Sequence, residues 1–304
     1  MKNKQEIRTY QLDNSLYYLH KQGREHSGFG MDNSQELIEG GFGLYSNADL
    51  KNRIGPVKTQ YYRIALFCKG SAQIDLGLES YQPQENSVVF GFPGQVFSLY
   101  DIREDALIYY MLFKESFMAD TPLLKELYPF FTYLGVQSFS LSGEEAQEVQ
   151  QLVFKINEEV KLRKKDTKRM IQLYIQQIVI IANRAYQRLF PTREHPNGNG
   201  NSLFKRFIKL VGHHFMTMRK VSDYARLLNV STDHLNRIIK AQSEKTASEL
   251  IDEMIFTEAK AYLLHTELSN AEIAYQLAFS DPSHFNKFFK KLANCTPLEF
   301  KVKS

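Results

Sequence analysis

The stretch SNAEIAYQLAFSDPSHFNKFFKK, residues 269–291, decides how this chain is read. Ile273, Ala274 and Leu277 recur at helical spacing, Ala278-Phe279-Ser280 break the pattern, and a second helix follows. Proline at a first helical position forfeits no needed hydrogen bond, so Asp281-Pro282 marks where that helix begins. Phe285, Phe288 and Phe289 form its buried face. Ser283, His284, Asn286, Lys287 and Lys290 stand on its open face, and Lys291 follows them.

The same design occurs about 50 residues earlier, in KVSDYARLLNVSTDHLNRIIKAQ, residues 220–242. Ala225, Leu227 and Leu228 give a short apolar helix, Asn229-Val230 a tight turn, and Ser231 an N-cap. Leu235, Ile238 and Ile239 are the buried face of the helix that follows. Asp233, Asn236, Arg237 and Lys240 are left pointing outward, with His234 in the first turn. Ala225 superposes on Ala274, Leu228 on Leu277, Leu235 on Phe285, Arg237 on Lys287 and Lys240 on Lys290. This is an internal repeat, and each copy is a helix-turn-helix.

Such a unit has a physical use. A helix fits the major groove of DNA while the preceding helix crosses the backbone and holds it there. Arginine and lysine reach guanine acceptors, asparagine pairs with adenine, and an aspartate can accept from cytosine. Lysines at the helix end neutralise phosphates. The candidate DNA contacts are therefore Ser231, Asp233, His234, Asn236, Arg237 and Lys240 in the first unit. In the second they are Ser283, His284, Asn286, Lys287, Lys290 and Lys291. EMIFTEAKAYLLHT, residues 253–266, reads as one amphipathic helix joining the units. Held rigidly, two such heads could meet successive major grooves roughly 34 Å apart.

These residues carry a family resemblance. IAYQLAFSDPSHFNKFFKK followed by TPLEFK (296–301) resembles the C-terminal signature of the AraC/XylS family of bacterial transcription regulators, and ARLLNVSTDHLNRIIK resembles its first helix-turn-helix. The match spans about residues 203–304. It implies a DNA-binding double helix-turn-helix domain there and a regulatory cupin-like barrel ahead of it. Some positions depart from the pattern. Ala278 stands where the second turn usually has glycine, so that turn must do without a residue at positive φ or bear modest strain. Glycines common after the first recognition helix and before Thr-Pro are replaced near Glu244 and Asn294. Met254 and Lys301 stand at positions often held by arginine.

Working back along the chain, TQYYRIALFC, AQIDLGL, SVVFGF, QVFSLY and LIYYMLF are short runs rich in β-branched and aromatic residues between residues 59 and 113. Turn-forming KGS, QPQEN, FPGQ and DIRED separate them, which suggests an antiparallel barrel or sandwich. The first 58 residues give no clear pattern. From Ser142 the period becomes helical: Ser142 and Glu145 form a capping box ahead of Val149, Leu152, Val153, Ile156 and Val160. A second helix, from about Thr167 to Phe190, is apolar nearly all round. Burial between the barrel and the first helix would explain that, and so would an interface with a second copy. PTREHPNGNGNS, residues 191–202, reads as a linker.

Charge follows the same division. Residues 203–304 hold 15 lysines and arginines against 11 acidic residues, while the rest of the 304-residue chain holds 23 of each. A basic domain beside a neutral one favours a polyanion partner. No apolar run approaches the roughly 20 residues that cross a bilayer, and MKNKQEIRTYQLDNS has no apolar core of a secretory signal. The two cysteines, Cys68 and Cys295, lie far apart, which fits a reduced, cytoplasmic setting. Residues 27–194 contain no histidine, so the ligand set of a metal-dependent cupin enzyme is missing. His213 and His214 are adjacent and diverge on a helix. No P-loop, dinucleotide or nucleophile-elbow motif is present.

The fold expected is α+β: an N-terminal antiparallel β-barrel, cupin-like, with a helical pair, then an all-α C-terminal domain with two helix-turn-helix motifs. Residues 1–190 would sense an effector and dimerise, with the barrel at about 1–140 and helices at about 142–190. Residues 191–202 would be the linker, and 203–304 would bind double-stranded DNA. No catalytic residue, cofactor, metal or membrane partner is expected. The partners implied are DNA, a small-molecule effector at residues the sequence does not name, RNA polymerase if the protein activates, and a second copy through helices 142–190. Two alternatives stand beside this reading: a constitutively dimeric DNA-binding factor with no effector, and a cupin-type ligand-binding protein or enzyme.

Overall fold

The computed structural model describes residues 8–10, 29–30, 35–47, 54–77, 79–121, 128–131, 135–162, 164–191, 198–266 and 268–303. The chain divides into two compact units between Thr192 and Arg193.

In the N-terminal unit, ten strands form two five-stranded sheets. They are β1 (Arg8–Tyr10), β2 (Phe42–Ser46), β3 (Ile54–Thr59), β4 (Tyr62–Lys69), β5 (Gln73–Leu76), β6 (Glu79–Tyr81), β7 (Ser87–Gly91), β8 (Val96–Tyr100), β9 (Leu107–Phe113) and β10 (Ser138–Ser140). One sheet runs β1-β3-β8-β5-β6 and the other β10-β7-β4-β9-β2. This corrects the expected closed barrel, because among the described residues no ladder joins the two sheets and the strands form two packed layers instead. The physical reason lies at the edges, where β1, β6 and β10 are three residues each and end pairing before the sheets meet. The antiparallel expectation holds for every pair except β1 with β3, which are parallel. A five-residue helix, α1 (Gln35–Glu39), precedes β2.

β4 is the central strand of its sheet and is buried from Tyr62 through Phe67. Strand pleating sends alternate residues to opposite faces. Tyr62, Ile64 and Leu66 therefore share one face, and Arg63, Ala65 and Phe67 share the other. The first face is covered by α2 (Gly143–Leu162) and α3 (Thr167–Leu189). There Tyr109 of β9 meets Phe154 with ring centroids 5.5 Å apart, and Phe139 meets Tyr186 at 5.4 Å. All five residues expected to line the first helix, Val149, Leu152, Val153, Ile156 and Val160, are buried. Its capping box forms as read: the Ser142 N–H donates to Glu145 at 2.8 Å, and the Glu145 N–H to Ser142 Oγ at 3.2 Å. Arg188, near the end of α3, makes two hydrogen bonds to the same carboxylate at 2.6 and 2.8 Å. Those bonds hold its pKa down to about 2. α3 buries Ile171, Ile175, Ile178, Val179 and Ala182, yet Leu173 and Ile180 remain 46% and 44% exposed.

The C-terminal unit is wholly helical among its described residues. α4 (Gly198–His214) opens inside the polar stretch read as a linker. Then follow α5 (Val221–Leu228), α6 (Thr232–Ser243), α7 (Ala247–His265), α8 (Asn270–Gln276), α9 (Pro282–Ala293) and α10 (Pro297–Lys303). α7 starts six residues ahead of the helix read from Glu253, because Thr246 and Glu249 cap it with a second box.

Candidate nucleic-acid interface

α5 with α6, and α8 with α9, are two copies of one device. Leu235 and Ile239 of α6 and Phe285 and Phe289 of α9 are fully buried. Each such side chain contributes about 1.5–3 kcal/mol relative to exposure. Ile238 and Phe288, expected in the same faces, are half-buried. In α5 the core residues are Tyr224, Ala225 and Leu228, whereas Leu227 is 48% exposed. Tyr224 is held inward by its hydroxyl, which donates to the Met218 carbonyl at 2.7 Å.

The caps repeat as well. Ser231 Oγ accepts from the His234 N–H at 3.2 Å, and Asp281 Oδ1 accepts from the His284 N–H at 3.0 Å. Pro282 occupies the start of α9 as the sequence implied. Both turns place a non-glycine residue in the left-handed region: Asn229 at φ 57° and Ala278 at φ 55°. The recognition helices also end alike, on Glu244 at φ 61° and Asn294 at φ 56°. The three family glycine positions, Ala278, Glu244 and Asn294, are thus retained as conformations although the glycines are gone. Ala278 takes the strained alternative of the two open to it.

On the outward side, Ser231, Asp233, Arg237 and Lys240 of the first unit are exposed, as are Ser283, His284, Lys287, Lys290 and Lys291 of the second. His234 is half-buried, and its Nδ1 lies 2.9 Å from Arg237 Nη2, which steadies the arginine across one turn. His284 is drawn back toward its own cap, with Nδ1 2.8 Å from Ser280 Oγ and 3.3 Å from Asp281 Oδ2. The backbone bond from His284 is the main influence holding the Asp281 carboxyl below its ordinary pKa.

The two asparagines depart from the expectation that they face outward. Asn236 is half-buried, and its Oδ1 accepts from the Ala247 N–H at 3.2 Å, tying α6 to the start of α7. Asn286, its counterpart, has a buried Oδ1 with no hydrogen-bond partner. The repeat explains this: the residue equivalent to Ala247 is Pro297, which has no N–H to offer. Asn236 therefore acts as a staple between elements. Asn286 keeps the position without the bond.

Sequence reading missed the group that joins the two units, Arg219. It precedes α5, and its guanidinium carbon sits 3.6 Å from the Phe279 ring centroid in the second turn and 5.2 Å from that of Phe288 on α9. Burial lowers the Arg219 pKa, opposed by Asp252 on α7. Burial raises the Asp252 pKa, opposed by Arg219 and by Lys291. One cation thus stacks on the second unit and pairs electrostatically with the joining helix. A cavity of ≈ 580 Å³ beside it is lined by Lys220, Asp223, Ser280 and His284 among others. No local motif flags Arg219, because its partners are 33 and more residues away.

Residues 224–302 match a family model described as a helix-turn-helix domain. The chain is also similar to the HTH-type transcriptional activator RhaR of Mannheimia succiniciproducens, 22% identical over 63% of this chain and 67% of that protein. These similarities are to transcription regulators of the AraC/XylS type. Another relative is the HTH-type transcriptional regulator GlxA of Rhizobium meliloti, 37% identical over 24% of this chain and 22% of that protein. Among solved structures, ToxT from Vibrio cholerae matches 86% of this chain and 97% of its own at 15% identity, with a TM-score of 0.40. The similarity marks residues 224–302 as a DNA-binding domain of the transcription-regulator type. Among the described residues no helix is long and apolar enough to cross a membrane.

Proposed function

We propose that α6 and α9 read successive major grooves on one face of double-stranded DNA, with Arg237 and Lys287 as the principal base-reading residues. The observation that carries this reading is their equivalence. Both are exposed on the face opposite a buried core, at the same position of two superposable repeats. Arg237 is further steadied by His234, so less side-chain freedom is lost when it binds. Lys240, Lys290 and Lys291 would contact phosphates. Ser231, Asp233, Ser283 and His284 would stand nearest the groove, whereas Asn236 would act through the placement of α6. Asn286, half-buried in the same register, lacks the bond that gives Asn236 that role.

In the same reading, residues 1–190 sense a small-molecule effector and residues 203–304 bind DNA, with the polar stretch at 191–202 between them. The exposed Leu173 and Ile180 of α3 support contact with a second copy through helices 142–190. RNA polymerase is the further partner if the protein activates.

The test is alanine substitution at Arg237 and at Lys287, followed by affinity for a selected site and for random DNA. Each substitution is expected to cost about 1–3 kcal/mol on the selected site and to relax preference within one half of it. Equal losses on both DNAs would reduce the two residues to phosphate contacts.

A further inference from the structure

Among the described residues of the N-terminal unit, the buried charge of Arg63 meets no counter-charge. Arg63 stands on central strand β4, paired with Gly91 of β7 and Leu112 of β9. It points across the gap between the sheets, its guanidinium carbon 3.5 Å from the Phe97 ring centroid on β8 and 5.9 Å from that of Tyr61. The residue is 8% exposed. The hydroxyl of Tyr61 is hydrogen-bonded to it, and that of Tyr110 lies near. Among the described residues no carboxylate forms an ion pair with it. Burial pulls its pKa down, yet a guanidinium stays charged in any protein environment. An ion taken out of water without a partner is strongly unfavourable, and Arg63 offers five N–H donors in a fork that fits a carboxylate.

A second orphan lies beside it. Gln95 is 2% exposed, and its Nε2 donates to Gln137 Oε1 at 3.0 Å, while its own Oε1 meets no donor. Gly91 shows how near the two are. A Cβ built there would stand 3.5 Å from Arg63 Nη1 and 3.5 Å from Gln95 Oε1. With no side chain on Gly91, the unneutralised donor fork and the unsatisfied acceptor flank one point in the gap between the sheets, beside the rings of Phe97 and Tyr61.

We propose that this space binds a small organic carboxylate, its carboxylate held by Arg63 and an adjacent hydroxyl or amino group donating to Gln95 Oε1. The proposal rests on the effector-sensing reading above and names the ligand class for it. A neutral ligand would leave the Arg63 charge uncompensated, so the site discriminates by charge first. The group next to the carboxylate sets the second level of choice, because an acceptor there would face another acceptor.

The experiment uses the full-length protein and its thermal unfolding. The probes are propionate, lactate, phenylacetate and mandelate, each compared with its primary amide and with neutral pentoses and hexoses. In wild type the hydroxy acids are expected to raise Tm by about 5 °C at a concentration 100-fold above their Kd, the plain acids less at that same concentration, and the amides not at all. Arg63→Met should abolish the shifts while its ligand-free Tm stays level or rises, because an unpaired buried charge has gone. Gly91→Val, which fills the space and leaves Arg63 in place, should abolish them too and serves if Arg63→Met does not fold. Gln95→Leu should reduce lactate and mandelate to the level of propionate and phenylacetate. A wild type that responds to no carboxylate, or variants that respond as wild type does, would overturn the site. If neutral sugars alone shift Tm and change DNA affinity, effector sensing stands and the carboxylate site falls. Carboxylates that bind through Arg63 without changing DNA affinity would support the site and sink the effector reading.

Discussion

In the first helix-turn-helix, Asn229 takes the left-handed turn position, Ser231 caps the recognition helix, and Asn236 satisfies the Ala247 N–H. In the second, Ala278 takes the turn, Asp281 supplies the cap, and Asn286 faces a proline where the donor should be. The first unit is well satisfied, and its second helix buries the aliphatic Leu235 and Ile239. The second carries a strained alanine and an orphan oxygen, offset by aromatic packing. Phe279 and Phe285 lie 5.3 Å apart, Phe285 and Phe289 5.8 Å, and Phe289 also meets Phe256 and Phe300 at 5.1 and 5.5 Å. The same backbone plan is thus held by polar satisfaction in one copy and by ring packing in the other.

The largest effect should come from removing that packing. Phe285→Ala is expected to lose about 4–5 kcal/mol in urea unfolding, and Leu235→Ala about 3 kcal/mol. A Leu235→Ala loss as large as that of Phe285→Ala would erase the contrast between the cores. The asparagines come next. Asn236→Ala should lose about 1–2 kcal/mol, since it strips the partner from a buried N–H, whereas Asn286→Ala should be near neutral because no bond is broken. Similar losses at both positions would mean that Asn286 has a partner in solution.

These differences also mark where the sequence was legible. Leu235, Phe285 and the cap at Ser231 could be read directly, because periodicity and capping are local and the repeat checks each against the other. Capping pairs at Thr246 with Glu249, Ser269 with Glu272 and Thr296 with Glu299 follow the same S/T-x-x-E rule that identified Ser142. Arg219 could not be read, since its partners Phe279 and Asp252 are brought to it only by the fold. Nor could the inward turn of Asn236, which looks like any other polar residue on a helix face. In the N-terminal unit the five strands were legible as β-branched and aromatic runs set between turn-forming segments. The short strands β1, β6 and β10 were not, because three residues carry no period. Their shortness is also what leaves the sheets open.

Two smaller effects sharpen the comparison. Ala278→Gly should stabilise the protein by about 0.5–1 kcal/mol by releasing the left-handed alanine, while Asn229→Gly should change stability by only a few tenths of a kcal/mol, since asparagine tolerates that region. Thermal unfolding of the two variants side by side checks this, and equal gains would remove the claim of strain peculiar to the second turn. The smallest difference is in acid. Asp281 titrates and Ser231 does not. The Asp281 pKa is lowered from its ordinary 3.8, so its contribution is complete above pH 3.8 and is lost as pH falls through the folded value. Tm of Asp281→Ser should therefore fall less steeply below pH 3.8 than that of wild type.

The central claim is that both recognition helices read bases. Selecting sites for the full-length protein from a random DNA pool at near-physiological salt tests it most directly. Two short boxes about one helical turn apart are expected, the Arg237→Ala variant losing preference in one box and Lys287→Ala in the other. A single box, unchanged by one of the two substitutions, would contradict the account and leave that unit as a phosphate clamp.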